Sequence, residues 1–229
     1  MKATCLDRIY QSTNDQTLAD WRENEGIGEV RDTPAYDPTK LALATGIQPA
    51  MSAQIRLLFN ELGELVHNDT LADRLPVASF HFTFLPLTLP LYAENEALPG
   101  KLEQLVDMWA AYQAQRITVR DLRLVALPGQ LLLAGIPDDA ALAMRHAFCQ
   151  KVLGSQWKEE LLARHATTPL PAPFWHSTLL RYGAGYLPER LRQYFRQNQA
   201  LRFGTVCGEL KFARVSYNWA RCDAVDFQR

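Results

Sequence analysis

The chain contains two aromatic, β-branched stretches built alike. The first is Phe80-His81-Phe82-Thr83-Phe84-Leu85-Pro86-Leu87. The second is Phe174-Trp175-His176-Ser177-Thr178-Leu179-Leu180-Arg181-Tyr182. Both read as β-strands, the first stopped by Pro90. Within each lies a His-x-Thr-apolar string, His81-Phe82-Thr83-Phe84 and His176-Ser177-Thr178-Leu179. Side chains alternate faces along a strand. His81 and Thr83 therefore share one face, and Phe80, Phe82 and Phe84 the other. By the same parity His176, Thr178 and Tyr182 share a face, while Trp175, Ser177 and Leu179 take the opposite one. Each strand can bury one face under helices and offer an imidazole and a hydroxyl on the other.

Outward from these strands the two halves of the chain follow a similar rhythm. Ile55, Leu58, Phe59, Leu62 and Leu65 recur at helical spacing and predict a helix over 51–67. A second helix follows Pro99-Gly100, with Leu102, Leu105, Val106 and Trp109 on one face. Residues 117–126 and 131–136 read as strands joined across Pro128-Gly129. Asp138-Asp139 can cap a helix carrying Ala140, Ala143, Met144, Ala147 and Phe148. Leu187, Leu191 and Tyr194 mark another helix, and 210–217 and 224–227 read as closing strands. Helix, strand, helix, hairpin, twice over, suggests an approximate internal duplication. Residues 1–50 are more polar. Asn14-Asp15 can cap a short helix through Trp21, and Gly26, Gly28, Pro34, Asp37 and Pro38 indicate loop.

Composition narrows the function classes. A chain of 229 residues, 48% hydrophobic and 21% charged, can bury a substantial core, as one large domain or two small ones. The net charge of −1 argues against coating long nucleic acid, which needs a broad basic surface. The balance is uneven, however: residues 1–50 carry a net −3 and residues 181–229 a net +5, mostly from arginine. Guanidinium forks suit phosphate, although a solvated helix face is the commoner origin of such a run. The cysteines, Cys5, Cys149, Cys207 and Cys222, form no Cys-x-x-Cys pair and no zinc spacing with histidine. No apolar run approaches the ~20 residues of a membrane span, and Met1 to Tyr10 has no apolar signal core. These features predict a reduced, cytoplasmic protein needing neither metal nor cofactor.

If the two halves face one another, two imidazoles and two hydroxyls converge on one cleft. That set suits in-line cleavage of a phosphodiester, which needs a base for the attacking oxygen and an acid for the leaving oxygen. Histidine serves as either near neutral pH. Threonine hydroxyls can donate to the non-bridging phosphate oxygens.

His81-Phe82-Thr83-Phe84 and His176-Ser177-Thr178-Leu179 resemble the paired His-x-Ser/Thr-hydrophobic motifs of the 2H phosphoesterase superfamily, which includes LigT-like 2′-5′ RNA ligases and cyclic nucleotide phosphodiesterases. The resemblance covers roughly residues 51–227. It implies a bilobal α+β fold, two antiparallel sheets flanked by helices around a central cleft. It also implies that His81 and His176 are the acid–base pair and that Thr83 and Thr178 bind phosphate. The expected ligand is a small nucleotide or RNA terminus: a 2′,3′-cyclic phosphate, a cyclic oligonucleotide or a 2′-5′ linkage. A non-catalytic nucleotide- or RNA-binding module on the same scaffold is the alternative. Family members often begin with a strand near the N-terminus. Here residues 1–50 precede the matching region as an extension or cap, with residues 41–47 the best candidate for an edge strand of the first lobe.

Other residues are weaker candidates. Tyr182 can reach substrate by its parity with His176, or serve as a core tyrosine. Arg181 falls on the opposite parity and reads as structural. Trp21, Tyr36, Tyr217 and Trp219 are candidates for stacking a base. His67, His146 and His165 read as helix-end or packing residues, and Cys149 as a small core residue.

Overall fold

The computed structural model describes residues 3–34 and 36–225. Two antiparallel sheets carry the fold. The first has the order β3-β1-β8-β9, from β1 (Ala42–Ile47), β3 (Phe82–Pro86), β8 (Lys211–Val215) and β9 (Cys222–Ala224). The second has the order β2-β6-β5-β4-β7, from β2 (Ala72–Arg74), β4 (Arg116–Leu127), β5 (Gln130–Pro137), β6 (His176–Tyr182) and β7 (Val206–Glu209). Six helices flank them: α1 (Ala3–Glu23), α2 (Ala53–Leu65), α3 (Leu102–Trp109), α4 (Asp139–Leu153), α5 (Lys158–Arg164) and α6 (Glu189–Asn198). This is the expected α+β class with two antiparallel sheets.

The two motif strands lie in different sheets, β3 at the edge of the first and β6 inside the second. The duplication is more entangled than its order suggests. The hairpin β4–β5 of the first half pairs with β6 of the second half. The hairpin β8–β9 of the second half joins β1 and β3 of the first. Each sheet therefore holds one motif strand and the other half's hairpin. The expected closing strand at 224–227 is realised as far as Ala224, and its remaining positions 226–227 lie outside the described residues.

Local chemistry accounts for the starts of α2 and α4. Ser52 accepts the Ile55 amide and Asp138 the Ala141 amide, satisfying amides that have no partner within their helices. One expected start is corrected. Asn14 does not cap a short helix but lies in the middle of α1, 21 residues long. Its side chain faces the second sheet, donating to the Leu124 carbonyl at 3.4 Å and accepting from the Ala126 amide at 2.9 Å. Thr17 and Trp21 continue the same stripe onto the carbonyls of Ala126 and Pro128. The sheet thus satisfies polar groups that the sequence pattern assigned to a helix end.

Residues 1–50 contribute one helix and one strand to this packing. α1 covers the back of the second sheet, and β1 is an internal strand between β3 and β8, not an edge. The buried face of α4 is also rotated by one residue from the expected one. It consists of Ala141, Arg145, Phe148, Cys149 and Val152, which brings an arginine inward.

One continuous apolar core runs through both sheets. Phe84 stands at its centre, edge-to-face with Trp109 of α3 at 6.1 Å and with Trp175 beside β6 at 5.8 Å. Phe82 continues the packing onto Phe80, and Phe80 onto Phe59 of α2. Each such side chain contributes roughly 1.5–3 kcal/mol by leaving water. The aromatic positions of the first motif are therefore the anchor that holds its polar positions in place.

Candidate active site

Both histidines sit where their strands begin. His81 immediately precedes β3 and follows a short 3-10 turn at Val77–Ser79, and His176 is the first residue of β6. A cavity of about 360 Å³ between the sheets is lined by His81, Thr83, His176 and Thr178 together. The parity read from the sequence thus brings all four motif side chains to one cleft.

Beyond the threonines the parity fails, in both strands and at the same motif position. On β1, Gly46 pairs with Thr83 and the next residue, Thr45, with Leu85, so β3 carries one extra residue at Phe84. On β5, Leu132 pairs with Thr178 and Leu131 with Leu180, so β6 carries one extra residue at Leu179. Each bulge falls on the apolar fourth residue of the motif. A bulge re-aims every side chain after it. Arg181 consequently lines the cleft, and Tyr182 turns away from it, with its hydroxyl on Asp69 at 3.1 Å. This reverses the expected placement of both residues.

The two imidazoles differ in how they are held. The His81 Nδ1–H donates to the Ser79 carbonyl at 2.7 Å, which leaves Nε2 as the bare nitrogen. The His81 ring stacks on Trp219 at 4.8 Å between centroids and 10° between planes. Trp219 is held there in the left-handed region, at φ 58°, a strained conformation for a bulky residue. The Nδ1 of His176 is buried without a hydrogen-bond partner among the described residues. The hydroxyls of Thr83 and Thr178 are likewise not engaged by other described groups.

The stacking of Trp219 depends on Gly46. A Cβ there would lie 2.5 Å from the Phe82 carbonyl oxygen and 2.8 Å from the Trp219 ring. We expect Gly46→Ala to cost about 1–3 kcal/mol of stability and to displace Trp219 from His81. Denaturant unfolding and tryptophan fluorescence check both.

Burial dominates the electrostatics. It pulls His81 down to about 3, helped by the charges of His176 and Arg181 and opposed by the Ser79 hydrogen bond. It pulls His176 down to about 4, helped by Arg181 and Arg145. Both rings are therefore neutral at pH 7. An unfolded histidine protonates near pH 6.5. Between that value and about 4 the unfolded chain binds protons that the folded chain refuses, so stability is expected to fall as pH drops through this window. A bound phosphate reverses the preference by placing negative charge against the rings. Its binding should take up about one proton and tighten as pH falls from 8 to 5. Calorimetry in buffers of different ionisation enthalpy measures that uptake. A flat pH profile with no buffer dependence would contradict it.

Among the described residues, the only charged side chains in the lining are arginines. Arg145, Arg164 and Arg181 join His81, His165 and His176, and no aspartate or glutamate is present, although the chain has 25 acidic residues. Arg181 lies against the parallel rings of Tyr36 and Tyr217, which are 5.6 Å apart. These two tyrosines and Trp219 line the cleft. Trp21 does not: it packs on Phe195 in the core.

His165 is committed on both nitrogens, Nε2–H to the Pro86 carbonyl and Nδ1 to the Thr168 hydroxyl, each at 3.2 Å. His67 and His146 are exposed and away from the cleft, and Cys149 is buried in the core. Among the described residues no three His, Cys, Asp or Glu side chains gather as a metal site, and no helix is long and apolar enough to cross a membrane.

No model of a known protein family matches the chain, and no curated protein matches its sequence. Among solved structures it is similar to TT0787 of Thermus thermophilus, with 14% identity and a TM-score of 0.52 over 81% of this chain and 95% of that one. It also aligns with Escherichia coli LigT, solved in complex with 3′-AMP, at 17% identity and a TM-score of 0.44, over 83% of this chain and 96% of that one. The chain has the fold of TT0787 across most of its length.

Proposed function

We propose that the protein is a phosphodiesterase of the 2H type, acting on a nucleotide or an oligonucleotide terminus by two-histidine acid–base catalysis. The observation that carries this reading is the cleft itself. Two imidazoles and two threonine hydroxyls from equivalent strand positions share a cavity lined by arginines and free of carboxylates. An anion is the ligand such a lining attracts, and a phosphodiester is the anion whose cleavage needs two proton-transfer groups.

The roles follow from the hydrogen bonds. His81, with its Nδ1–H on Ser79, presents Nε2 as the acceptor. It takes the proton of the attacking water or ribose hydroxyl. His176 delivers a proton to the leaving oxygen, having gained it as the phosphate's charge raises its affinity for protons. Thr83 and Thr178 donate to the non-bridging oxygens as charge accumulates there. None of these steps calls for a metal.

The test is a screen of 2′,3′-cyclic nucleotides, cyclic oligonucleotides and 2′-5′ oligonucleotides with identification of products, with and without a chelator. Turnover that survives chelation supports the reading. Tight nucleotide binding without turnover would favour the non-catalytic module, and a strict need for a divalent ion would overturn the mechanism.

A further inference from the structure

Arg145 is only 4% exposed and lines the catalytic cleft, yet no carboxylate stands against it. Its guanidinium makes two long hydrogen bonds, to the Phe174 carbonyl at 3.4 Å and the Pro173 carbonyl at 3.5 Å. It lies over the Trp175 ring at 4.2 Å. Five donors are available to an arginine, and a buried cation is ordinarily paired. Burial pulls this one down to about 10, so it remains charged at neutral pH.

Arg164, at the end of α5, lines the same stretch of wall and has no hydrogen bond or ion pair among the described residues. The charges of both arginines act on His165, which fixes Pro86 at the far end of β3. Arg181 acts on both His81 and His176, and Arg145 acts on His176 as well. Arg181 lies against Tyr36 and Tyr217 and has a carboxylate within reach, Asp73 at 3.9 Å, whereas Arg145, over the Trp175 ring, and Arg164, next to His165, line the cleft without one.

We propose that Arg145 and Arg164 form a second anion subsite, which takes a phosphate one unit away from the phosphate held between the histidines. This rests on the phosphodiesterase reading and narrows it: the substrate carries at least two phosphates, as does a phosphorylated oligonucleotide end or a nucleoside bisphosphate. The bound anion supplies the counter-charge that Arg145 lacks in the protein.

The experiment titrates adenosine 3′-monophosphate, adenosine 2′,5′-bisphosphate and adenosine 3′,5′-bisphosphate into the wild-type protein, Arg164→Gln and Arg145→Lys. A charge-assisted pair corresponds to a preference of about 10–100-fold for the better-fitting bisphosphate in the wild type. Arg164→Gln should lose most of that preference and keep its affinity for the monophosphate. Arg145→Lys keeps the charge but loses the fork, and should lose part of it. Because Arg164 is partly exposed and unpaired, its variant is expected to fold and is decisive if the Arg145 variant does not.

Cleavage of cyclic nucleotides without any bisphosphate preference, or a preference unchanged in Arg164→Gln, overturns the subsite and leaves the phosphodiesterase reading standing. Absence of binding by all three ligands together with absence of turnover overturns both.

Discussion

His81→Ala and His176→Ala are each expected to slow phosphodiester cleavage by roughly 10²–10⁴-fold, the usual scale for one proton-transfer group. The double variant should lose less than the product of the two, because the rings act on one transition state. Stability should move differently from activity. Both rings are neutral, His81 buried and His176 half-buried, and the buried Nδ1 of His176 has no partner among the described residues. Replacing a buried polar group that lacks a partner can be neutral or stabilising. We therefore expect His176→Leu, which fills the space without the nitrogens, to be inactive and at least as heat-stable as the wild type. His81→Ala gives up the Ser79 hydrogen bond and the contact with Trp219 and should melt lower. Full turnover in either folded single variant would refute the assignment.

Thr83→Val and Thr178→Val are each expected to cost about 10²–10³ in turnover, as removal of one donor from a site of developing negative charge does. The substitution preserves shape, so the loss reports the hydroxyl itself. The effect should fall on kcat more than on KM, since the non-bridging oxygens gain charge on the way to the transition state. Steady-state kinetics on the best substrate from the screen decides this. A rise in KM with unchanged kcat would make the threonines ground-state binders only.

Much of the site was legible because strand alternation is a local rule. From His81 to Thr83 and from His176 to Thr178 nothing interrupts it, and all four residues reach the cleft. Arg181 and Tyr182 were misplaced because one bulged residue inverts the rule. A signal was present: Phe84-Leu85 and Leu179-Leu180 are consecutive apolar residues where alternation calls for one, and all four are buried.

Arg145 had no such signal. On α4 nearly every face is apolar or small, so periodicity could not select the inward one. α1 was shortened for the opposite reason. Two members of its inward stripe, Asn14 and Thr17, are polar and gain their partners only from strands more than 100 residues away. Sheet membership was equally invisible, because which hairpin joins which motif strand depends on pairings distant in sequence.

The exchange of hairpins between the halves also governs how the molecule comes into being. A nascent chain ending before β6 holds the β4–β5 hairpin without the strand on the other edge of β5, and β1 and β3 without β8. Neither sheet is closed until almost the whole polypeptide has left the ribosome. Such non-local pairing predicts slow folding and a period of exposed strand edges during synthesis. It also predicts that cutting the chain between β5 and α4 yields two fragments that are unstructured apart and recover a working cleft only when mixed.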